Sequence, residues 1–453
     1  MNFTSYLKDK KITVLRIGLL GRGVGDAAYM AELGASVLVV DDAPQAVMQP
    51  SVDALAEYKN VTFKFGPYDT ADFTEADLVL VGAGTPLDSP ELAAARAAGV
   101  PLKQSAALFA ELSGIPVIGI TGTRGKSTVT HMIHHVLSEV TGEEVLLGGN
   151  IRGVSNLQLL KNVKEESIAV MELDSWQLQG FGWAKLSPQI SVFTNFMEDH
   201  LNYYQTEGLS KSEGMQRYFQ DKAYIFTHQT EGSVLVTTPE VFDRAKTLAG
   251  VTLGQEVVLV DVSIIPEDVL LAMPGTHNRL NAALAYSALK VIDLSDEQIF
   301  DALATFPGVP GRLQGLGSID GVKVFNDNNA TTPQATAAGV RAVATGKNVV
   351  LIAGGSDKNI PVTELVEAIT EEVKQLVLYS GTGTEKLKAA LPKSVEYTEF
   401  ELLNECVDAA LAAAQPGDVV LFSPGFSSFG KYYKNEYDRN DQFVALINEH
   451  ASS

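Results

Sequence analysis

The sequence predicts an α/β chain with mostly parallel sheets, divided into three domains. Short Val/Ile/Leu-rich runs recur between longer helical stretches. The length, 453 residues, exceeds what one hydrophobic core usually organises. Two seams interrupt the alternation: LSGIPVIGITGT (112–123) restarts a strand and phosphate-loop pattern, and FPGVPGRLQGLG (306–317) packs Pro and Gly between a helical stretch and a new strand. These seams place the expected domains at 1–113, 114–311 and 312–453.

The strand runs appear in order as ITVLRIGLL (12–20), SVLVV (36–40), DLVLVG (77–82), PVIGI (116–120), SIAVMEL (167–173) and ISVFT (190–194). VKVFN (322–326), NVVLIAGG (348–355), QLVLYSG (375–381) and DVVLFSPG (418–425) follow. Continuous apolar runs of this kind are what strands covered on both faces by crossover helices look like. No repeat of solenoid period and no low-complexity tract is visible.

Composition narrows the function classes. With 34 Lys plus Arg against 55 Asp plus Glu the formal charge is -21, which opposes a general role on nucleic acid or an anionic membrane. Any anionic ligand has to be held by local donors. A single cysteine, Cys406, excludes an internal disulfide and a Cys-rich zinc site and suits a reducing compartment. The early apolar run Ile12–Leu20 contains Arg16 and Gly18 and is too short to span a bilayer or serve as a signal core. A cytoplasmic monomer without membrane insertion is the expectation.

GITGTRGKST (119–128) lies between the strand PVIGI and the helical run STVTHMIHHVLSE. Small residues let main-chain N–H groups crowd around phosphate oxygens, and the helix N-terminus adds partial positive charge. Lys126 can reach the β and γ phosphates and Ser127 can ligate Mg²⁺. Gly122, Thr123, Arg124, Gly125 and Thr128 complete the nucleoside triphosphate loop. The strict Walker spacing wants Gly where Ile120 stands, so this is a variant with Gly119 and Gly122. On the same helix His131 and His135, spaced i, i+4 with His134 beside them, superficially resemble a metal pair. No HExxH-type base accompanies them and no third ligand is evident, so packing or exposure is the simpler account.

Glu172 closes one strand run and His200 lies just past another, in TNFMEDH, so both are expected at the carboxyl ends of neighbouring strands, where open α/β sheets bind ligands. A carboxylate and an imidazole beside a triphosphate are suitable Mg²⁺ ligands, and a surface carboxylate with a hydrogen-bonded loop histidine is the alternative. Near the start, GRGVGD (21–26) follows a strand and precedes a helix, and VVDD (39–42) ends the next strand, as in a Rossmann-like domain. The third fingerprint glycine is replaced by Asp26, whose charge would oppose a pyrophosphate on the helix N-terminus, so NAD binding is disfavoured.

Taken together, GLLGRGVGD, GITGTRGKST, GGNIRG (148–153), MELDSWQL (171–178), TNFMEDHLNYY (194–204), YFQDKAYIF (218–226), PGTHNRLNA (274–282), GVPGRLQ (308–314), NDNNATTPQAT (326–336), LIAGGSDK (351–358) and SPGFSSFGKYYKNEYDR (423–439) resemble, in order, the Mur ligase family. The resemblance covers almost the whole chain. It implies a three-domain architecture with Rossmann-like first and last domains around a central P-loop ATPase-like domain. It further implies ATP-dependent amide-bond formation in peptidoglycan precursor synthesis, in the branch that adds D-glutamate to UDP-N-acetylmuramoyl-L-alanine.

The same resemblance implies that Lys126 and Ser127 serve ATP and a first Mg²⁺, that Glu172 and His200 are metal ligands, and that Lys222 is a carbamylated lysine beside a second Mg²⁺. It assigns adenine contacts to Asn278 and Asn281, an arginine of the ATP site to Arg312 and an acid near the ribose to Asp327. Gly23, Asp41, Asp42, Gly84 and Thr85 fall at the UDP end of the acceptor, and Asn150 and Gln177 at its muramoyl and diphosphate part. Thr331, Lys358, Ser428 and Tyr433 fall at the amino acid. The chain departs from the family at Asn329, where the D-glutamate branch carries Lys, at Arg124, where Asn is usual, and at Asp174, where Ser is usual. A sister ligase using another amino acid and a non-catalytic binding protein on the same fold are the competing readings.

Overall fold

In the computed structural model the first strand, β1 (Lys11–Leu15), stops well short of the apolar run that announces it. Arg16 adopts φ 60°, which turns the chain out of the sheet, and the helix Arg22–Glu32 begins soon after. The structure describes residues 3–451 except 20, 87, 143, 207, 248–255, 268, 270, 272, 274, 429–432 and 434–435. Parts of the sequence blocks at 18–26, 274–282 and 423–439 therefore lie outside the described residues.

Among the described residues three sheets form. β1, β2 (Ser36–Asp41), β3 (Val61–Phe65), β4 (Leu78–Val81) and β5 (Leu102–Lys103) are parallel in the order β3-β2-β1-β4-β5. The second sheet holds β6 (Val117–Thr121), β7 (Val145–Gly149), β8 (Ile168–Glu172), β9 (Ile190–Phe193), β10 (Val234–Thr237) and β11 (Glu256–Leu259), all parallel, in the order β11-β10-β9-β6-β8-β7. The third holds β12 (Gln314–Ile319), β13 (Val322–Asn326), β14 (Val349–Gly354), β15 (Val373–Tyr379), β16 (Tyr397–Phe400) and β17 (Val419–Gly425), in the order β12-β13-β17-β14-β15-β16. Here only the β12–β13 pair is antiparallel, a hairpin leading into the parallel core.

The sequence runs locate the central strands other than β10 and miss the edges. β6, β8, β9, β14 and β17 are buried at nearly every position and read as unbroken apolar runs. β3, β11 and β16 are partly exposed and carry Lys64, Glu256 and Glu399, so no such run marks them.

The chain packs as two units, one of residues 1–265 with 281–302 and one of residues 266–280 with 303–453. Within the first, one apolar core runs from Leu7 and Met30 through Phe109 to Phe181 and Phe219, joining the first two sheets. Polar ties accompany it. Asp26 is buried and accepts from Ser155 Oγ at 2.6 Å and from the Leu157 main-chain N–H at 3.0 Å. Gln104 accepts from the Gly180 N–H at 2.8 Å, and the Tyr203 hydroxyl donates to Thr85 O at 3.0 Å. The residue that breaks the dinucleotide fingerprint is thus a structural acceptor, and burial raises its pKa above the ordinary carboxylate value.

In the second unit apolar layers cover both faces of the third sheet, with Val349, Leu351 and Leu376 on one side and Val350, Ile352 and Val377 on the other. Asp327, just past β13, is buried and accepts from the Leu313 N–H at 3.1 Å and from Ser423 Oγ at 2.8 Å. Burial, partly offset by these bonds and by Arg312, pushes its carboxyl up to about 7.

Two stability measurements follow from these carboxylates. Asp26→Ala strands the Ser155 and Leu157 donors and should lower the unfolding free energy by about 2 kcal/mol in urea titration, with Asp26→Asn closer to wild type. The Asp327 proton is held in the folded state above the pKa of the unfolded chain. Its stabilisation is therefore complete below about pH 4 and is lost as pH rises through about 7, at up to about 1.4 kcal/mol per pH unit. Asp327→Asn should remove that dependence, and the difference between wild-type and variant unfolding curves from pH 4 to 8 measures it.

Candidate active site

β6 is flanked by β8 and β9, so the carboxyl ends of these three strands lie side by side with β6 in the middle. Glu172 and His200 are not on neighbouring strands, as the sequence suggested. β6 separates β8 from β9, and the two residues follow strands on either side of the phosphate loop.

The loop 122–125 closes on main-chain geometry. Gly122 has φ 145° and Gly125 φ 82°, and a β-carbon would lie 1.9 Å from Thr194 Oγ1 at the first and 2.4 Å from Asn281 Oδ1 at the second. Only glycine fits there. Thr123 N–H donates to Asn195 O at 3.0 Å, Arg124 N–H donates to Asn195 Oδ1 at 2.9 Å, and Arg124 O accepts from Thr194 Oγ1 at 2.6 Å. Thr123 Oγ1 accepts from the Met197 N–H at 3.0 Å and lies 3.4 Å from the Tyr218 hydroxyl. The helix Lys126–Thr141 starts at this turn with no side-chain cap, so its first N–H groups face the loop as anion donors.

Two lysines converge on the loop. Lys126 Nζ donates to Gly122 O at 3.0 Å and to Thr123 O at 3.3 Å. Lys222, on the helix Lys211–Ala223, donates to Gly122 O at 2.8 Å, with its Nζ 4.9 Å from the Tyr218 ring centroid. Lys222 is buried. Burial first, and then the adjacent Lys126 ammonium, hold its amine well below the ordinary lysine value, against the attraction of Asp174, Asp199 and Glu172. A lowered pKa enlarges the share of neutral amine, the nucleophile that addition to CO₂ requires, so this environment fits a carbamate.

Glu172 is buried, and its Oε1 accepts from Asn150 Nδ2 at 3.3 Å, while Arg22 Nη1 donates to Asn150 Oδ1. His200 has φ 53°, and its ring lies 4.7 Å from that of Trp176 and 5.7 Å from that of Tyr218. Burial lowers its pKa, which favours the neutral imidazole that a metal needs. Among the described residues no three His, Cys, Asp or Glu side chains form a ready metal cage. One carboxylate, one imidazole and the Ser127 hydroxyl at a phosphate loop suit Mg²⁺, which takes few protein ligands and completes its shell with phosphate and water. The histidines of the loop helix are each engaged elsewhere: His131 Nδ1 with Ser127 O at 2.8 Å, His134 Nε2 with Val145 O at 3.2 Å and His135 Nε2 with Ala302 O at 3.0 Å.

Two of the family departures acquire local explanations. Asp174 caps the helix Ser175–Ala184, accepting from the Gln177 N–H at 2.8 Å, a task that Ser performs equally. Arg124 pairs with Asp199 at 3.2 Å on an exposed flank of the loop. The reciprocal capping bond, Asp174 N–H to Gln177 Oε1 at 3.4 Å, engages the Gln177 carbonyl. Thr85 likewise uses its hydroxyl internally, on Gly82 O at 2.7 Å. Asp41 accepts from the Ala43 N–H at 3.0 Å, and Asp42 pairs with Arg16 at 2.8 Å. Gly84 lies beside the Trp176 ring, and Gly23 packs so tightly that a β-carbon would meet Ile17 O at 2.2 Å.

In the second unit Lys358 Nζ donates to Thr331 Oγ1 at 2.9 Å. Ser356 and Ser427 exchange main-chain hydrogen bonds at 2.9 and 3.0 Å, which sets buried Ser428 next to the Lys358 loop. Tyr433 lies 6.3 Å from Tyr379, edge to face. Asn278 is buried and its N–H donates to Gly275 O at 3.0 Å. Asn329 accepts from Asn328 Nδ2 at 3.2 Å. Sequence reasoning did not single out Arg22, Trp176, Thr194, Asn195, Asp199 or Tyr218. Tyr218 had a signal, since it precedes Lys222 by one helical turn.

Comparison with known proteins agrees with this arrangement. Residues 10–104 match the family model "Mur ligase MurD-like, N-terminal domain", residues 120–247 the Mur ligase middle domain, and residues 311–426 the "Mur ligase, glutamate ligase domain". A UDP-N-acetylmuramoylalanine--D-glutamate ligase of Roseiflexus sp. (strain RS-1) is 34% identical, the match covering 97% of this chain and 99% of that one. The enzyme of the same name from Geobacillus kaustophilus is 32% identical over 99% of this chain and 100% of its own. Among solved structures, UDP-N-acetylmuramate-alanine ligase from Thermotoga maritima superimposes with TM-score 0.58 at 19% identity, covering 97% of this chain and 99% of that one. The MurF ligase from Thermotoga maritima in complex with ADP does so with TM-score 0.58 at 15% identity, covering 100% and 97%. Domain matches in order, full-length identity above 30% and the shared fold place this chain in the Mur ligase family of ATP-dependent amide-forming ligases.

Proposed function

We propose that this chain ligates D-glutamate to UDP-N-acetylmuramoyl-L-alanine, using ATP to activate the acceptor carboxylate in peptidoglycan precursor synthesis. The observation that carries the reading is the convergence of Lys126 and Lys222 on Gly122 O, between strands that end at Glu172 and lead to His200. An acceptor carboxylate oxygen attacks the γ phosphorus, the bond to the β-phosphate oxygen breaks, and ADP leaves with that electron pair. The amine of the amino acid then attacks the acyl carbon of the acyl phosphate. The tetrahedral intermediate loses a proton from nitrogen and expels inorganic phosphate, leaving the amide.

The protein's part is positioning and charge neutralisation. The N–H groups at the start of the helix Lys126–Thr141 cradle phosphate oxygens, and Lys126 turns from its loop carbonyls to the β and γ phosphates. Glu172, His200 and Ser127 would hold Mg²⁺, with an anionic carbamate on Lys222 serving a second ion. Mg²⁺, when bound, neutralises charge on the transferring phosphoryl group. Asn150, oriented by Arg22 and Glu172, and Gln177 would meet the muramoyl diphosphate, with Gly23, Asp41, Asp42, Gly84 and Thr85 shaping the uridine end. The nucleotide roles of Asn278, Asn281, Arg312 and Asp327 belong to the same proposal. So do the domain limits 1–113, 114–311 and 312–453 and a monomeric, cytoplasmic enzyme. No helix among the described residues is long and apolar enough to cross a membrane.

Thr331, Lys358, Ser428 and Tyr433 would receive the amino acid, Lys358 and the hydroxyls meeting its side-chain carboxylate. Phosphate release with ATP, Mg²⁺, UDP-N-acetylmuramoyl-L-alanine and a panel of amino acids, with product mass, tests the assignment. Turnover is expected with D-glutamate; turnover only with another amino acid would move the chain to a sister specificity, and none at all would favour a non-catalytic protein. Lys222→Ala should lose about 10²-fold or more in kcat and recover part of it with added short-chain carboxylates. Full activity of that variant would remove the carbamate from the scheme.

A further inference from the structure

Arg439, on the helix Glu436–Ala451, is the largest side chain that the described residues bury completely. Among the described residues its hydrogen bonds all go to neutral groups. Nε donates to Asn328 Oδ1 at 2.8 Å and Nη2 to Asn328 O at 3.0 Å, a two-pronged grip on one residue. Nη1 donates to the Tyr379 hydroxyl at 2.8 Å and to Phe426 O at 3.5 Å. Among the described residues no carboxylate is paired with it. A guanidinium stays charged in a protein, and a buried charge without a counter-charge is held against a large desolvation penalty. A ligand's carboxylate can supply the missing negative charge.

The contacts of Arg439 lead to both walls of the pocket proposed for the amino acid. One runs through Asn328, whose Nδ2 donates to Asn329 Oδ1 at 3.2 Å, with Thr331 two residues further on and bonded to Lys358. The other ends at Phe426, two residues before Ser428 and next to the Ser427 bridge to Ser356. In the first path Asn328 turns its amide oxygen to the guanidinium and its NH₂ to Asn329, whose own Nδ2 donates to Pro310 O at 3.4 Å. The dipoles of Asn328 and Asn329 are therefore aligned head to tail and polarised by the charge behind them.

We propose that Arg439 is a positioning and specificity-determining residue for the amino-acid substrate. Its charge, paired with no carboxylate among the described residues and passed through the aligned amides of Asn328 and Asn329, supplies positive potential for a side-chain carboxylate where Asn329 itself carries no charge. The inference rests on the reading of Thr331, Lys358 and Ser428 as the amino-acid pocket. It adds a source of dicarboxylate preference that does not touch the substrate.

Asn328→Asp is the decisive variant in the full-length enzyme. It preserves an oxygen for Arg439 Nε, sets a negative charge against the guanidinium and removes the donor to Asn329. With ATP, Mg²⁺ and UDP-N-acetylmuramoyl-L-alanine saturating, KM for D-glutamate should rise about tenfold or more. KM for ATP and for the acceptor should stay within about twofold, and preference for D-glutamate over neutral D-glutamine should fall by a factor similar to the rise in KM. Arg439→Lys should retain more of that preference than Arg439→Gln. If Arg439→Gln does not fold, Asn328→Asp, which keeps the guanidinium packed, still decides. An unchanged KM for D-glutamate, or a joint rise in all three KM values, would reduce Arg439 to a structural residue. Wild-type enzyme inert toward D-glutamate would instead overturn the underlying pocket assignment, and this inference with it.

Discussion

The site depends on a main-chain turn that has no room for side chains. Where β6 gives way to the helix at Lys126, the carbonyls and N–H groups of 122–125 pass against Thr194 and Asn281 so closely that a β-carbon at Gly122 or Gly125 would collide with them. That proximity lets Thr194 and Asn195 fasten Arg124 O, and lets Gly122 O accept from Lys126 and Lys222 together. Two amines are thereby set at one carbonyl, and burial together with repulsion from Lys126 shifts Lys222 toward its neutral form.

The same economy of charge recurs elsewhere. A chain with net charge -21 has to receive anionic ligands, and it does so with oriented donors and a few placed cations, not with a basic surface. Asp26 and Asp327 are buried as acceptors for neighbouring N–H and hydroxyl groups, which fastens the segments around them. Arg439 is their counterpart of opposite sign. It grips Asn328, Tyr379 and Phe426, and leaves its charge unanswered by any carboxylate of the described residues.

Packing also ties the first two sheets to one another. The seam at 112–123 is a true restart of strand and loop, yet the apolar core continues across it from Phe109 to Phe181, and Asp26 and Gln104 reach over it to Ser155 and Gly180. A break in sequence pattern marks where one sheet ends. Whether it is also a break in packing depends on which helix faces meet, and no local pattern records that.

The parallel α/β class, the buried central strands other than β10 and the phosphate loop are legible in local patterns of the chain, together with the ordered motifs that name the family. Those follow from short-range rules: apolar runs mark strands covered on both faces, and Gly-rich turns before a helix mark anion sites. Tertiary structure alone decided that β6 separates β8 from β9, so that Glu172 and His200 flank the loop from opposite sides. It also decided that Lys222 is buried, that Asp174 and Gln177 cap one another, and that Arg439 lacks an ionic partner among the described residues. Strand order, burial of a charge and the identity of a hydrogen-bond partner are set by residues far apart in the chain, about 100 positions for Lys222 and Gly122 and 111 for Arg439 and Asn328. Spacing along the sequence holds no trace of such distances until the sheets assemble.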